Sequence, residues 1–349
     1  MVQRKKVFVA TSGGVDSSTA AALLLKEGFD CSGIFMITSD RFSAAREDAE
    51  KTAEKLGIKL FVLDLRAEFE QILEYFCSEY SKARTPNPCV VCNRAIKFGK
   101  LLQFAKENGA ELFATGHYVR IINRPDGIGL YSALDAEKDQ SYALSMVDKD
   151  VFKGVIFPLG SFSKEQTKKM AAEFGLEPQN RIDSQEICFI PDDDYVGLLE
   201  KRCPNLIRAG KIVDTNGLVL GEHNGIHRFT RGQRRGLRVA MGEPYYVVDL
   251  DADTNTVILG PKNDVLGKNL LAKSVNWLIV KPDGPFEAKV KIRYNSKPAD
   301  AIVTPHKEDA FVEFRQPVSA ITPGQLAVFY VPDEAGIRVA GAGWIDKRD

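Results

Sequence analysis

Two stretches of this chain combine residue types that could do chemistry. The first is Ser12-Gly13-Gly14-Val15-Asp16-Ser17-Ser18, set between an apolar, β-favouring run at 7–11 and an Ala/Leu-rich stretch at 17–27. Two glycines let backbone N–H groups approach phosphate oxygens, and the positive end of a following helix faces the anion. Three serines add hydroxyl donors. Neither GxxxxGK[ST] nor GxGxxG is present, so this turn is neither a P-loop nor a dinucleotide fingerprint. The second stretch is Arg84-Thr85-Pro86-Asn87-Pro88-Cys89-Val90-Val91-Cys92-Asn93. Two prolines stiffen a loop, a CxxC follows, and Asn93 is expected to open a helix. A helix N-terminus favours a thiolate, which makes Cys92 the expected nucleophile. Cys188 lies far downstream near another expected loop, and composition alone does not pair it with Cys92. A lone CxxC also suits half of a structural zinc site, but no second CxxC completes one.

The elements around these stretches alternate. Strands are expected at 7–11, 33–37, 60–63 and 111–115, and helices at 17–27, 43–56, 68–82 and 95–107. That is the rhythm of a doubly wound parallel sheet over the first 150 residues or so. Residues 163–199 read as mostly helical, with a loop around 178–184. After about residue 204, short β-rich runs are separated by turn signals such as Asn216-Gly217, Asn224-Gly225 and Asp283-Gly284. They predict small antiparallel barrels or sandwiches. The division expected is 1–204 as an α/β catalytic domain with a helical extension at 163–204, then 205–265 and 268–349 as two β domains.

Composition sets the outer limits. With 349 residues, 44% hydrophobic and 27% charged, the chain can build more than one core. Lys and Arg total 47, as do Asp and Glu, so binding nucleic acid by bulk charge is disfavoured and any basic patch must be local. One such patch exists, with Arg231, Arg234, Arg235 and Arg238 in one run. Six cysteines are too few for a disulfide scaffold, and no signal peptide or membrane span is read, so the cytoplasm is expected. Cys31, Cys77 and Cys203 are read as buried packing residues.

Seven blocks then occur in order: SGGVDSS, RTPNPCVVCNRAIKF, ATGHYVR, KDQSYALS, SQEICFI, FTRGQRRGL and PGQLAVFY. Together they closely resemble the tRNA-specific 2-thiouridylase family, whose first domain carries the PP-loop of the ATP pyrophosphatases. The resemblance implies ATP-dependent thiolation of a wobble uridine at C2, with ATP and Mg, tRNA and a sulfur-donor protein as partners, and no membrane. It implies that Cys188 carries a persulfide and Cys92 acts on it, releasing sulfide or closing a Cys92–Cys188 disulfide. By position, Ala10, Thr11, Ser12, Gly13, Gly14, Val15, Asp16, Ser17, Met36 and Gly116 would meet ATP. Asn87, Pro88 and Cys89 would meet the target base. His117, Lys138, Asp139, Gln140, Arg293, Tyr294 and Gln325 would meet the tRNA, and the uridine would have to leave its stack.

One departure matters. Many members of that family carry Asp where this chain has Cys89, so a carboxylate is replaced by a thiol of different pKa and shape. Three thiols, Cys89, Cys92 and Cys188, open an alternative in which they hold a [4Fe–4S] cluster with one open iron. Zinc, with His117, is a lesser alternative. Of other classes, an amine-joining PP-loop enzyme would not need paired cysteines, and a non-catalytic tRNA-binding or sulfur-sensing protein would not need an intact turn at 12–18.

Overall fold

The computed structural model describes residues 4–176, 188–190, 194–237, 239 and 243–348. The segment around 178–184, Ser184–Ile187 of the SQEICFI block, and Arg238 lie outside them.

The first strand, β1 (Lys6–Thr11), has Val7, Phe8 and Val9 fully buried, as a strand covered on both faces must. It is followed by α1 (Val15–Lys26), β2 (Asp30–Ile37), α2 (Ser43–Leu56), β3 (Lys59–Asp64) and α3 (Arg66–Ser81). In α2 the buried residues are Ala45, Ala49 and Ala53, a narrow stripe at four-residue spacing that lets the helix sit close to the sheet. Gly57, at φ +65°, ends it in the left-handed cap expected of glycine. On α3 the buried face is Phe69, Ile72, Leu73, Phe76 and Tyr80. A continuous helical run then comprises α4 (Pro88–Cys92), a π-helical segment (Asn93–Leu101) and α5 (Leu102–Glu107). It leads to β4 (Leu112–Thr115), the hairpin β5 (Val119–Arg124) and β6 (Gly127–Ser132), α6 (Ser141–Leu144), β7 (Val155–Ile156), α7 (Lys164–Glu173) and α8 (Tyr195–Arg202).

The first sheet runs β3-β2-β1-β4-β7, all parallel. Chain order reverses on either side of β1, so a crevice opens beyond the carboxyl ends of β1, β2 and β4, where open α/β sheets take ligands.

Two β units follow. β8 (Gly210–Asp214), β9 (Val219–His223), β10 (Tyr246–Asp251) and β11 (Thr256–Gly260) form a sheet in the order β10-β11-β8-β9. Then β12 (Leu266–Trp277), β13 (Phe286–Lys291), β14 (Ala299–His306), β15 (Asp309–Ser319), β16 (Leu326–Asp333) and β17 (Gly336–Arg348) close on themselves through β12–β17 pairing. The sequence did not announce the β5–β6 hairpin. It leaves the first unit after β4 and extends the barrel's sheet through Arg338 and Tyr131.

The largest core crosses this boundary. Val328, Tyr330, Val339 and Ala342 of the barrel share one cluster with Val90, Ile96 and Phe113 of the α/β unit. Tyr142, fully buried on α6, accepts from Leu326 N and donates to Leu326 O, both at 3.2 Å. Two apolar side chains fully buried at such a seam are worth roughly 3–6 kcal/mol together. The barrel is therefore packed against the catalytic half rather than tethered to it.

Candidate active site

The turn after β1 is held by its own serines. Ser12 N–H donates to Ser17 Oγ at 3.1 Å, Ser17 Oγ donates to Gly14 O at 3.0 Å, and Ser18 Oγ does the same at 3.0 Å. Gly13 has φ +73°, and a Cβ there would lie 2.3 Å from the Ala45 carbonyl oxygen of α2. No side chain caps the N-terminus of α1, so its first-turn N–H groups face the crevice without a side-chain acceptor. The helix begins at Val15, two residues before the expected start, and this brings Asp16 into its first turn. Gly116, at the end of β4, would press a Cβ to 2.9 Å from Ser17 N, so only glycine lets the strand pass so close to the turn.

Sequence reading missed the partners of Asp16. Its carboxylate is bound by Lys164 Nζ at 2.8 Å to both oxygens and by Tyr118 OH at 2.9 Å. Lys164 thereby cancels a negative charge that would repel a phosphate. The capping box Ser163–Gln166 that starts α7 was a readable sign that Lys164 would be fixed in place.

The cysteine segment differs from the expectation. Asn87 caps α4 by accepting from Val90 N–H, and Pro88 is its first residue. Cys89 is thus in the first turn, whereas Cys92 closes α4 in the middle of a longer helical run and is 8% exposed. Cys92 gains no helix-start activation. Burial pushes its thiol up to about 11, partly countered by the Lys97 ammonium. Burial also pushes Cys89 up to about 11, with the Cys188 sulfur adding to the rise. Cys188 is raised by burial too, and Lys97 and its own backbone N–H oppose this. Cys89 and Cys188 still touch solvent, because they line the walls of a cleft ringed by protein.

Distant segments anchor the cysteine segment. Thr85 N–H donates to Pro323 O at 2.9 Å. Gln325 Nε2 donates to Thr85 O and Pro86 O, each at 3.1 Å. Arg84 pairs with Glu79 and with Asp346 of β17. Cys188 is located by its neighbours: Phe189 packs edge-on against Phe69 and Phe76 of α3, and Ile190 is buried beside them.

A cavity of about 330 Å³ joins these parts. Its walls include Ala10, Thr11, Ser12, Asp16, Ser17, Met36 and Gly116 at the turn end. Pro88, Cys89, Cys92, Cys188 and Lys97 stand at the other, with His117 and Gln140 also lining it. Gly13, Gly14 and Val15 complete the turn. His117, expected at the tRNA, stands inside this cavity. Its Nδ1 is 2.7 Å from Thr115 Oγ1 and its Nε2 is 3.5 Å from Lys97 Nζ. Burial and the nearby ammonium hold its pKa well below the usual value, so the ring is neutral.

The remaining positions sit around the barrel seam. Asp139 accepts from Ala133 N–H, Ser141 N–H and Ser141 Oγ. Gln140 accepts from Tyr118 N–H at 2.9 Å. Arg293 donates to Arg231 O at 2.7 Å and to Thr322 Oγ1, tying the two β units together. Tyr294 is 37% exposed and stacks edge-on with Tyr142. Lys138 is half-buried. In the basic run, Arg231 pairs with Asp249, while Arg234 and Arg235 are exposed. Cys31 is buried as expected, but Cys77 and Cys203 are only half-buried.

Among the described residues no group of three His, Cys, Asp or Glu side chains could hold a metal ion. Cys89, Cys92 and Cys188 share the cavity without forming such a group, which gives no support to the zinc site with His117, and the three-thiol cluster is not favoured.

These features define a class: an α/β enzyme domain with an anion-receiving turn and a thiol site, completed by two β units. Family models match along the chain as a tRNA methyl transferase HUP domain over residues 5–192, a tRNA methyl transferase PRC-barrel domain over 198–261 and an aminomethyltransferase beta-barrel domain over 267–345. A protein of Carboxydothermus hydrogenoformans named tRNA-specific 2-thiouridylase MnmA is 42% identical, covering 100% of this chain and 99% of its own. One of the same name from Syntrophotalea carbinolica is 44% identical, covering 98% and 99%. A solved U34-tRNA thiolase from Methanococcus maripaludis, with its [4Fe-4S] cluster, aligns at 20% identity over 58% of this chain and 69% of its own. Its TM-score is 0.37, too low to inform the site. The chain belongs to the tRNA-specific 2-thiouridylase family.

Proposed function

We infer that this protein is a tRNA-uridine 2-sulfurtransferase that spends ATP to exchange the C2 oxygen of a wobble uridine for sulfur. The observation that carries this reading is a single cavity lined both by the uncapped start of α1 and by Cys89, Cys92 and Cys188. Relatives more than 40% identical over essentially the whole chain bear the corresponding name.

ATP, with Mg, lies with its phosphates against residues 12–17 and its nucleoside toward Met36 and Gly116. The uridine, flipped from its stack, rests beside Asn87, Pro88 and Cys89. Its C2 oxygen attacks the α-phosphorus, pyrophosphate leaves and the N3 proton passes to water. A donor protein has loaded Cys188 with a persulfide, whose terminal sulfur anion attacks C2. The C2–O bond breaks and AMP departs with the electron pair. Cys92, as thiolate, then attacks the Sγ of Cys188. The S–S pair of electrons stays with the sulfur on C2, N3 regains a proton, and a Cys92–Cys188 disulfide remains for a cytoplasmic dithiol to reduce. Lys138, Asp139, Gln140, Arg293, Tyr294, Gln325 and His117 would serve the tRNA, with the exposed Arg234 and Arg235 adding phosphate contacts.

Nucleoside mass analysis after incubation with cognate tRNA, ATP, Mg and a persulfide donor tests this. 2-Thiouridine should appear together with AMP and pyrophosphate. Cys188→Ala should stop sulfur incorporation and spare tRNA-dependent ATP–pyrophosphate exchange. Thiolation by Cys188→Ala would refute the persulfide assignment. Absence of AMP release by the unaltered protein would favour a binding or sensing role.

A further inference from the structure

The cavity holds a charge that this reaction scheme does not yet use. Among the described residues lining it, Lys97 is the one Lys or Arg. The one carboxylate among those described residues, Asp16, is already bound by Lys164. The polar contact of the Lys97 ammonium is with a neutral ring, His117 Nε2 at 3.5 Å. The ring is set from behind by Thr115 Oγ1 at 2.7 Å, so a Thr115–His117 pair aims the ammonium into the cavity.

Backbone winding explains how Lys97 reaches the thiols. Cys92 and Lys97 are five residues apart, which on a regular α-helix would place them about 140° apart around the axis. The π-helical segment starts at Asn93, directly after Cys92, and its wider, i→i+5-bonded winding turns Lys97 closer to the cysteine's side than an α-helix would. Gly99 lies within this wide turn, and a Cβ there would be 3.2 Å from the Arg94 carbonyl oxygen, again five residues back.

We propose that Lys97 is a further catalytic residue, whose ammonium holds the transferring sulfur as an anion between Cys92 and Cys188 and stabilises negative charge as that sulfur attacks C2. The proposal rests on the sulfur-transfer reading above and adds a residue to it. Lys97 takes no proton in this role. It is a fixed counter-ion in a site where burial otherwise disfavours every sulfur anion. The ordering of charges agrees: after burial, Lys97 is the largest influence on Cys92 and on Cys188, and the smallest of those acting on Cys89. His117 is then a positioning residue that acts through Lys97.

The test uses the full-length protein with Lys97→Met and Lys97→Arg. Iodoacetamide alkylation of Cys92 and Cys188 is followed against pH by peptide mass, alongside single-turnover 2-thiouridine formation and pyrophosphate release. Lys97→Met should move the alkylation profile up by about one pH unit. It should slow sulfur transfer, and the AMP release that accompanies it, about 100-fold while pyrophosphate release changes less than about fivefold. Lys97→Arg should keep the profile and most of the transfer. An unmoved profile with normal transfer in Lys97→Met would overturn the proposal, as would a loss of pyrophosphate release equal to the loss of transfer, which would assign Lys97 to the nucleotide. If Lys97→Met does not fold, Lys97→Arg and His117→Asn give the same readings: a shifted profile with His117→Asn alone supports the role, and none in either refutes it. An unaltered protein that makes no 2-thiouridine refutes the reaction itself, whereas an active protein indifferent to Lys97→Met refutes only the role of Lys97.

Discussion

The two ends of the cavity are built in opposite ways. At the turn end, Ser12, Gly14, Ser17 and Ser18 bond to one another within five residues of chain. At the thiol end, Thr85 and Pro86 are clasped by Gln325 from 240 and 239 residues away, and Cys188 is pinned through Phe189 to α3. A phosphate site can be local because backbone N–H groups do the binding. A thiol site for sulfur transfer needs two sulfurs from separate segments, so tertiary packing must supply the precision.

Substitutions at each end should separate the two. The largest effect is expected from Gly13→Ala, where a side chain meets the Ala45 carbonyl and φ is +73°. AMP formation should fall at least about 100-fold, with Cys92 and Cys188 still alkylated at the native rate. Slowed alkylation would show that the two ends are not independent. Tyr142→Phe strips the partner from both Leu326 N–H and Leu326 C=O. It should cost about 1–3 kcal/mol of stability by urea titration, and a loss below about 0.5 would mean the seam is less coupled than its hydrogen bonds suggest. Gln325→Ala frees the Thr85 and Pro86 carbonyls. Thiolation should drop about tenfold with pyrophosphate release nearly intact. Equal losses in both would place Gln325 outside the thiol scaffold. The smallest effect is expected from Arg234→Ala with Arg235→Ala, both exposed. Each lost phosphate contact should flatten the salt dependence of tRNA binding by about 0.7–0.9 in log–log slope, and an unchanged slope would remove these arginines from the RNA path.

pH offers another separation. His117 has a lowered pKa in the folded state, so below the ordinary value of 6.5 the unfolded chain binds more protons. Stability should therefore decline as pH falls below 6.5, and His117→Gln should remove that part of the decline in urea titrations at pH 5 and 7. An identical acid slope in the variant would show the ring is not held neutral.

What the sequence revealed follows the same contrast. The parallel sheet, the turn at residues 12–18 and the β-rich second half came from contiguous patterns. The start of α4 is also readable: Asn87 as cap and Pro88 as first residue are a helix-start signal, although the two prolines equally suit a stiffened loop. Lys97 was not readable from α-helical periodicity, because the segment carrying it is wound as a π-helix. Nor was the ion pair of Arg231 with Asp249, which joins positions that share no local sequence pattern. The bracing of the thiol segment depends on contacts across most of the chain, and no local pattern encodes them.

The clasp on Thr85 and Pro86 also sets a schedule for protein synthesis. The first sheet and its turn can form while translation continues, since all their strands lie before residue 157. Pro323, Gln325 and the strands beside them leave the ribosome long after Cys89 and Cys92. A nascent chain can therefore fold its nucleotide end before its sulfur end is assembled, and a truncated translation product would lack the scaffold for sulfur delivery.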